Sequence, residues 1–178
     1  MKRSLLRFEN LQQLVEADGL GVILLTDELR QRGLTVVCDQ QIMAQLQMRI
    51  NNPKSCHHML PEVLLSQLTS QYEMMVCGVY EGQYQVILMD EIGNTSRIRM
   101  SDAVLLSLIS KIPLYIEENL MNRQCFPYNE KTQYQLSIPI NTMNLDHLKR
   151  ELEKAVDEEN YELASHLRDE IKRRNERV

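Results

Sequence analysis

Residues 99–120 read RMSDAVLLSLISKIPLYIEENL, and the rest of the chain is best read outward from them. Ser101 and Asp102 each carry an oxygen that can accept a free backbone N–H, so either predicts a capped helix start. From Ala103 to Ile109 only Ser107 is polar, and a helix apolar nearly all round is buried on more than one side. Pro113 predicts the stop, because the residue before a proline is pushed out of the helical conformation. Leu114-Tyr115-Ile116 then predicts a short apolar strand. Glu117-Glu118 predicts a new helix start, where carboxylates meet the positive end of the helix dipole.

The flanking chain alternates strands and turns. Leu5 to Val15 fits both a helical face and an alternating strand. Leu20 to Leu25 (LGVILL) predicts a buried strand, bounded by Thr26-Asp27-Glu28. Arg32-Gly33 predicts a turn, Leu34 to Cys38 a strand rich in β-branched residues, and Asp39 to Ile50 a helix. Asp39 is its cap, and Ile42, Met43, Leu46 and Ile50 form its inner face. A helix from Leu60 or Pro61 to Gln71 should turn Val63, Leu64 and Leu68 inward. Tyr72–Tyr80 and Gln83–Met89 predict a hairpin across Glu81-Gly82. Residues 125–143 are turn-rich and polar and predict a linker, with one extended run from Tyr134 to Ile138.

The C-terminal 144–178 has its own period. Leu145, Leu148, Leu152 and Val156 recur at three and four residues. Tyr161, Ala164, Leu167 and Ile171 repeat the pattern after Glu158-Glu159-Asn160. Two short helices joined by a tight turn predict an antiparallel hairpin, and so small a unit calls for a partner surface. The fold class expected is α+β: a mixed sheet with packed helices, then a helical hairpin.

Composition limits the chemistry. The chain has 178 residues, a formal charge of −5 and 43% hydrophobic residues, enough apolar content for a real core. A protein that grips phosphates usually shows a basic surface; residues 145–178 alone hold 8 basic and 10 acidic side chains, net −2. Four dispersed cysteines without a C-x-x-C predict reduced thiols in a cytoplasmic protein rather than a disulfide scaffold. No apolar run reaches the roughly 18 residues that cross a bilayer, so no membrane partner is expected.

Two resemblances carry the functional expectation. Arg99, Ser101, Asp102, Ala103, Leu108, Pro113, Glu117, Glu118 and Leu120 match a motif of the bifunctional nuclease domain family of bacteria and plants. Residues 1–124 therefore resemble that family, with 125–143 as linker. The family's proline becomes Met100 here, and its upstream His-Asp pair becomes Pro61-Glu62. The resemblance implies that the segment before Gly19 pairs with Leu20–Leu25, that the protein dimerises, and that it is a nuclease-family protein acting on DNA or RNA. Asp102, Arg99, Glu117 and Glu118 are then the candidate catalytic residues. Carboxylates could hold a divalent ion such as Mg²⁺ or Mn²⁺ if the site is catalytic, or act as base beside a phosphate-binding cation. One of the two glutamates would join Asp102 across the strand. The opposing reading is that Asp102 only caps the helix and pairs with Arg99, and that Glu117 and Glu118 only face water. No metal site is assigned to Cys56-His57-His58, since consecutive residues rarely complete one coordination sphere.

Residues 144–178 resemble the UVR motif of the excision-repair subunits UvrB and UvrC, through Leu145, Leu148, Leu152, Ala155, Tyr161, Glu162, Ala164, Leu167, Arg168, Asp169 and Ile171. That resemblance implies a protein–protein surface, with Leu148, Leu152, Tyr161, Leu167, Arg168, Asp169 and Ile171 as its candidate residues. The alternative to an enzyme is a non-catalytic adaptor that dimerises and recruits a partner through this hairpin.

Overall fold

In a computed structural model the described residues are 2–13, 19–80, 82–129, 143, 145–157 and 159–175. The chain divides into two compact units, residues 1–80 with 84–137 and residues 81–83 with 138–178.

The first unit is built on eight strands: β1 (Arg3–Gln13), β2 (Leu20–Asp27), β3 (Arg32–Asp39), β4 (Tyr72–Tyr80), β5 (Gln83–Asp90), β6 (Thr95–Arg99), β7 (Leu114–Glu117) and β8 (Phe126–Pro127). They form one mixed sheet in the order β6-β5-β4-β7-β1-β2-β3-β8. β1 pairs antiparallel with β2, as the nuclease resemblance implied, and β4 runs parallel to β7. Leu14, Val15 and the run Tyr134–Ile138 lie outside the described residues. β2 shows no apolar–polar alternation because every residue from Gly21 to Asp27 is buried, as in strands covered on both faces.

Helix α1 (Gln40–Asn51) follows β3, and Asp39 caps it by accepting the Ile42 N–H at 2.8 Å. Helix α3 (Met100–Ser110) is the crossover between the meander and β7. It starts one residue before Ser101 and two before Asp102, so both fall inside its first turn and no side chain caps it. It stops at Lys111, whose left-handed backbone (φ 61°) lets its N–H bond the Ser107 carbonyl. Pro113 then lends its carbonyl to Met74 N–H at 2.9 Å, which joins β7 to β4. The apolar core gathers Leu6, Ile23, Leu34, Leu46, Met74 and Ile116, with Ala103 and Val104 from α3. The second half of α3 is only half-buried, so the expectation of burial on several sides holds for its first turns alone.

Three expectations are corrected. The turn placed at Arg32-Gly33 falls earlier: Arg30 takes the left-handed conformation (φ 53°) and donates its N–H to the Asp27 carbonyl. Part of the expected linker is sheet, because Phe126-Pro127 pairs with Arg32-Gly33. A Cβ on Gly33 would lie 2.5 Å from the Phe126 ring, so only glycine admits this contact. The third correction concerns α2 (Leu60–Ser66), which is shorter than expected and turned the other way. Val63, Leu64 and Leu68 are exposed, while Glu62 faces inward.

The cause is Arg49. It takes the inner position on α1 that was expected for Ile50, and its side chain is 4% exposed. Its guanidinium donates to both oxygens of Glu62, at 2.6 and 3.1 Å, and to the carbonyl and side chain of Gln45. A buried charge without its partner is far more costly than an exposed leucine, so the pair sets the rotation of α2. Glu62→Ala should therefore destabilise the fold by about 3 kcal/mol or more, whereas Leu64→Ala should change it by less than about 0.5 kcal/mol. Urea unfolding of the two variants checks this, and equal losses would refute it.

Candidate functional site

β3 carries a polar cluster at each end, separated by about 23 Å of strand. At its C-terminal end lies Arg99, the last residue of β6. Its guanidinium donates to both oxygens of Asp102, at 2.6 and 3.1 Å, and to Asp39 at 3.3 Å. The three side chains are 65, 37 and 47% exposed for Arg99, Asp102 and Asp39. Asp102, and then Asp39, hold the Arg99 guanidinium above its ordinary pKa. Asp39 has two uses, one oxygen capping α1 and the other meeting Arg99. Asp102 thus pairs with Arg99, as one reading of the sequence had it, but does not cap α3.

The N-terminal end of β3 holds a second, more enclosed cluster around Arg32. Its Nε donates to Asp27 at 2.8 Å, Nη1 to Glu118 at 2.7 Å and Asn122 at 2.8 Å, and Nη2 to Ser4 at 3.2 Å. Ser4 in turn donates to the other Glu118 oxygen. Asp27 is 5% exposed and also accepts the backbone N–H groups of Gln31 and Arg32. Burial pushes the Asp27 carboxyl up, but the Arg32 hydrogen bond and the two N–H groups outweigh it and hold it below its ordinary value. The Ser4 hydroxyl and then Arg32 hold Glu118 low, and Asp27 and Glu118 hold Arg32 high. Glu118 starts α4 (Glu118–Gln124), and Glu117 closes β7 beside it.

The sequence-derived candidates therefore fall into two places. Asp102 and Arg99 are together; Glu118 belongs to the other end of β3 and does not join them. Asp39, Asp27 and Arg32 were not among the candidates. Asp27 could have been found, because an aspartate at a strand end often organises the following turn through its side chain. The reach of Arg32 to Glu118, 86 positions away, leaves no local mark.

Neither cluster fits a divalent metal. Among the described residues no group of three or more His, Cys, Asp or Glu side chains is placed to hold an ion, and the carboxylates of each cluster are turned onto an arginine, Asp39 and Asp102 onto Arg99 and Asp27 and Glu118 onto Arg32. Cys56 points inward while His57 and His58 are exposed, so that run does not converge. Burial pushes the Cys38 thiol up to about 11 and also raises Cys125, so neither of these two is prepared as a nucleophile.

The second unit consists of α5 (Leu145–Asp157) and α6 (Tyr161–Asn175). Leu148, Ala155, Ala164 and Leu167 are buried between them together with Met143, and Leu152 and Ile171 pack on this cluster. These residues hold the hairpin together. The turn is closed by Glu159 N–H to Val156 and Asn160 N–H to Ala155, with Glu159 left-handed (φ 57°), a Schellman-type ending. Asn160 then caps α6 by accepting the Leu163 N–H at 3.3 Å. Facing outward are Val156 and Tyr161, 49 and 68% exposed, and the Arg168–Asp169 pair, each side chain 71% exposed.

The chain is thus an α+β protein with a mixed eight-stranded sheet, followed by an antiparallel helical hairpin. Residues 144–175 match the family described as the UvrB/uvrC motif, so the hairpin is of UVR type. No curated protein matches the chain. Among the described residues no helix is long and apolar enough to cross a membrane.

The Arg32 cluster has a pH signature. Asp27 and Glu118 have folded values below their ordinary 3.8 and 4.5, so their contribution is complete above those values and is lost as pH falls through the lowered ones. Arg32→Ala should cost about 2–3 kcal/mol at pH 7, and its deficit against wild type should shrink below pH ~4. Urea titrations at the two pH values check this; a deficit that grows in acid would refute it.

Proposed function

We propose that this protein is an adaptor: an α+β body that presents a UVR-type hairpin, divided as residues 1–124, a connection over 125–143 and the hairpin at 144–178, working in the cytoplasm. The observation that carries the reading is the closed core of the hairpin. Leu148, Ala155, Ala164 and Leu167 are consumed internally, while Val156 and Tyr161 stay exposed and beside no core. Exposed aromatic and apolar side chains with a nearby charged pair are the make-up of a binding surface. The partner class is a second protein hairpin of the same kind, whose outward apolar residues beside the turn would meet Val156 and Tyr161. Titrating the full-length protein with the UVR hairpin of a UvrB-type protein tests this. Val156→Asp with Tyr161→Ala should weaken the measured Kd at least ~10-fold. Equal binding by wild type and the double variant overturns the reading.

A second reading, a nuclease acting on DNA or RNA, is favoured by one observation beyond the family resemblance. The Asp39–Arg99–Asp102 cluster is exposed and sets a cation between two carboxylates. Arg99 could hold a phosphate oxygen while Asp102 accepts a proton from attacking water. The adaptor reading predicts that purified protein leaves labelled single- and double-stranded DNA and RNA intact, with Mg²⁺, Mn²⁺ or chelator. Cleavage that disappears in Asp102→Ala would establish the enzyme instead; cleavage unchanged in that variant would trace to a contaminant or to a different site.

A further inference from the structure

The sheet ends at β6, and that edge is open. β6 is the first strand in the order β6-β5-β4-β7-β1-β2-β3-β8, so β5 alone pairs with it. Its hydrogen bonding follows from the turn before it. Asp90 donates its N–H to the Asn94 carbonyl at 3.1 Å, and along an antiparallel pair bonded and non-bonded positions alternate. Leu88 with Ser96 and Val86 with Ile98 are therefore bonded pairs, while Met89 with Thr95, Ile87 with Arg97 and Gln85 with Arg99 are not. Thr95 and Arg97 consequently turn both N–H and carbonyl outward, and Arg99 its N–H. Thr95, Ser96, Arg97 and Arg99 are exposed, and Ile98 is half-buried. The opposite edge, β8, has two residues, one of them a proline without an N–H.

We propose that β6 receives, as an added strand of the sheet, an extended acidic segment of another protein. A row of unpaired N–H and carbonyl groups is a template for a polypeptide strand, and a nucleic acid would leave those groups unused. The side chains choose the strand. Thr95, Arg97 and Arg99 share one face of β6, and Ser96 and Ile98 the other. Thr95–Arg99 holds two arginines and no acid. Arg99 is taken by Asp102 and Asp39. Arg97 has no carboxylate partner among the described residues, and the β5 residues across from this face are Gln85, Ile87 and Met89, none of them acidic. An incoming Asp or Glu opposite Arg97 supplies the missing counter-charge. On the other face Ile98 packs against the core, so an apolar residue of the incoming strand continues that side. The occupant therefore alternates acidic and apolar side chains. A second copy fits poorly: pairing β6 with β6 over all five residues sets Arg97 against Arg97, and like charges directly opposite each other repel. The proposal uses no residue of the hairpin and does not rest on the adaptor reading.

Fluorescence anisotropy with the full-length protein is the test, using dye-labelled, end-capped peptides of alternating valine and glutamate or alternating valine and lysine. The glutamate peptide should bind saturably with a Kd below about 1 mM, and the lysine peptide at least ~10-fold more weakly. Arg97→Glu should weaken the glutamate peptide ~5-fold or more. Strand pairing has its own readout. With glutamate opposite Arg97, the glutamate N–H groups face β6 and the valine N–H groups face away. N-methylation of the glutamate amides keeps every charge and should weaken binding ~10-fold or more, whereas N-methylation of the valine amides should leave it within ~3-fold. Should Arg97→Glu not fold, the two methylated peptides decide against wild type alone. No saturable binding, equal binding of the two charged peptides, or a glutamate preference unchanged in Arg97→Glu overturns the proposal. Binding that survives methylation of the glutamate amides overturns it too, and marks Arg97 as a plain anion contact.

Discussion

A single guanidinium ties the sheet together. Arg32 bonds Ser4 of β1, Asp27 at the end of β2, and Glu118 and Asn122 of α4. These groups come from both ends of the first unit's sequence, so their meeting sets how the N-terminal strand, the tight turn after β2 and the helix after β7 converge. The chemistry requires all of them. Asp27 is too buried to stay ionised without donors, and one arginine supplies a donor fork whose other arm needs a second acid. Glu118, with help from Ser4, is that acid. The Phe126 ring, seated on Gly33, covers the next step of the same strand. A guanidinium so fully occupied has little left to offer a phosphate, and the cluster is best understood as architecture.

The other end of β3 differs in solvent rather than in residue type. Arg99 also sits between two carboxylates, but all three groups are wet. Exposed pairs of this kind add little to stability, so the Asp39–Arg99–Asp102 group is not needed to hold the sheet. Its role in the fold is the cap that Asp39 gives α1. Whatever further use the group has must come from what it can contact outside the chain.

Much of the fold was legible in local pattern. The strands from Leu20, Leu34, Tyr72, Gln83 and Leu114 could be read from β-branched runs between turn residues, and α1 from Asp39 and its apolar period. The hairpin could be read from a repeat interrupted at Glu159-Asn160. What was not legible has a common physical origin. An apolar stripe says that a helix is amphipathic, but its orientation is settled by the most costly group on it. In α2 that group is Glu62, because Arg49 is buried beside it. The pairing of Asp102 with Arg99, three residues apart, was legible, whereas Glu118 looked available and is claimed by Arg32 from 86 positions away. Pairings over tens of residues carry no periodicity to be read.

The distribution of positive charge bears on what the body can bind. Arg3, Arg7, Arg30, Arg32, Arg49 and Arg99 are each ion-paired with a carboxylate, namely Glu73, Glu28, Glu9, Asp27, Glu62 and Asp102. Binding a polyanion through phosphates depends on cations that can release condensed counterions, and cations already neutralised by the protein's own carboxylates contribute weakly to that release. On a chain of net charge −5, six of the twelve Lys and Arg side chains before residue 145 are committed in this way, all of them arginines. The chain also holds apolar side chains outward: Leu60 and Leu64 on α2, and Val156 and Tyr161 on the hairpin. Apolar surface gains by being covered with protein, so the exposed side chains of the hairpin are in keeping with the interaction role proposed for its UVR motif.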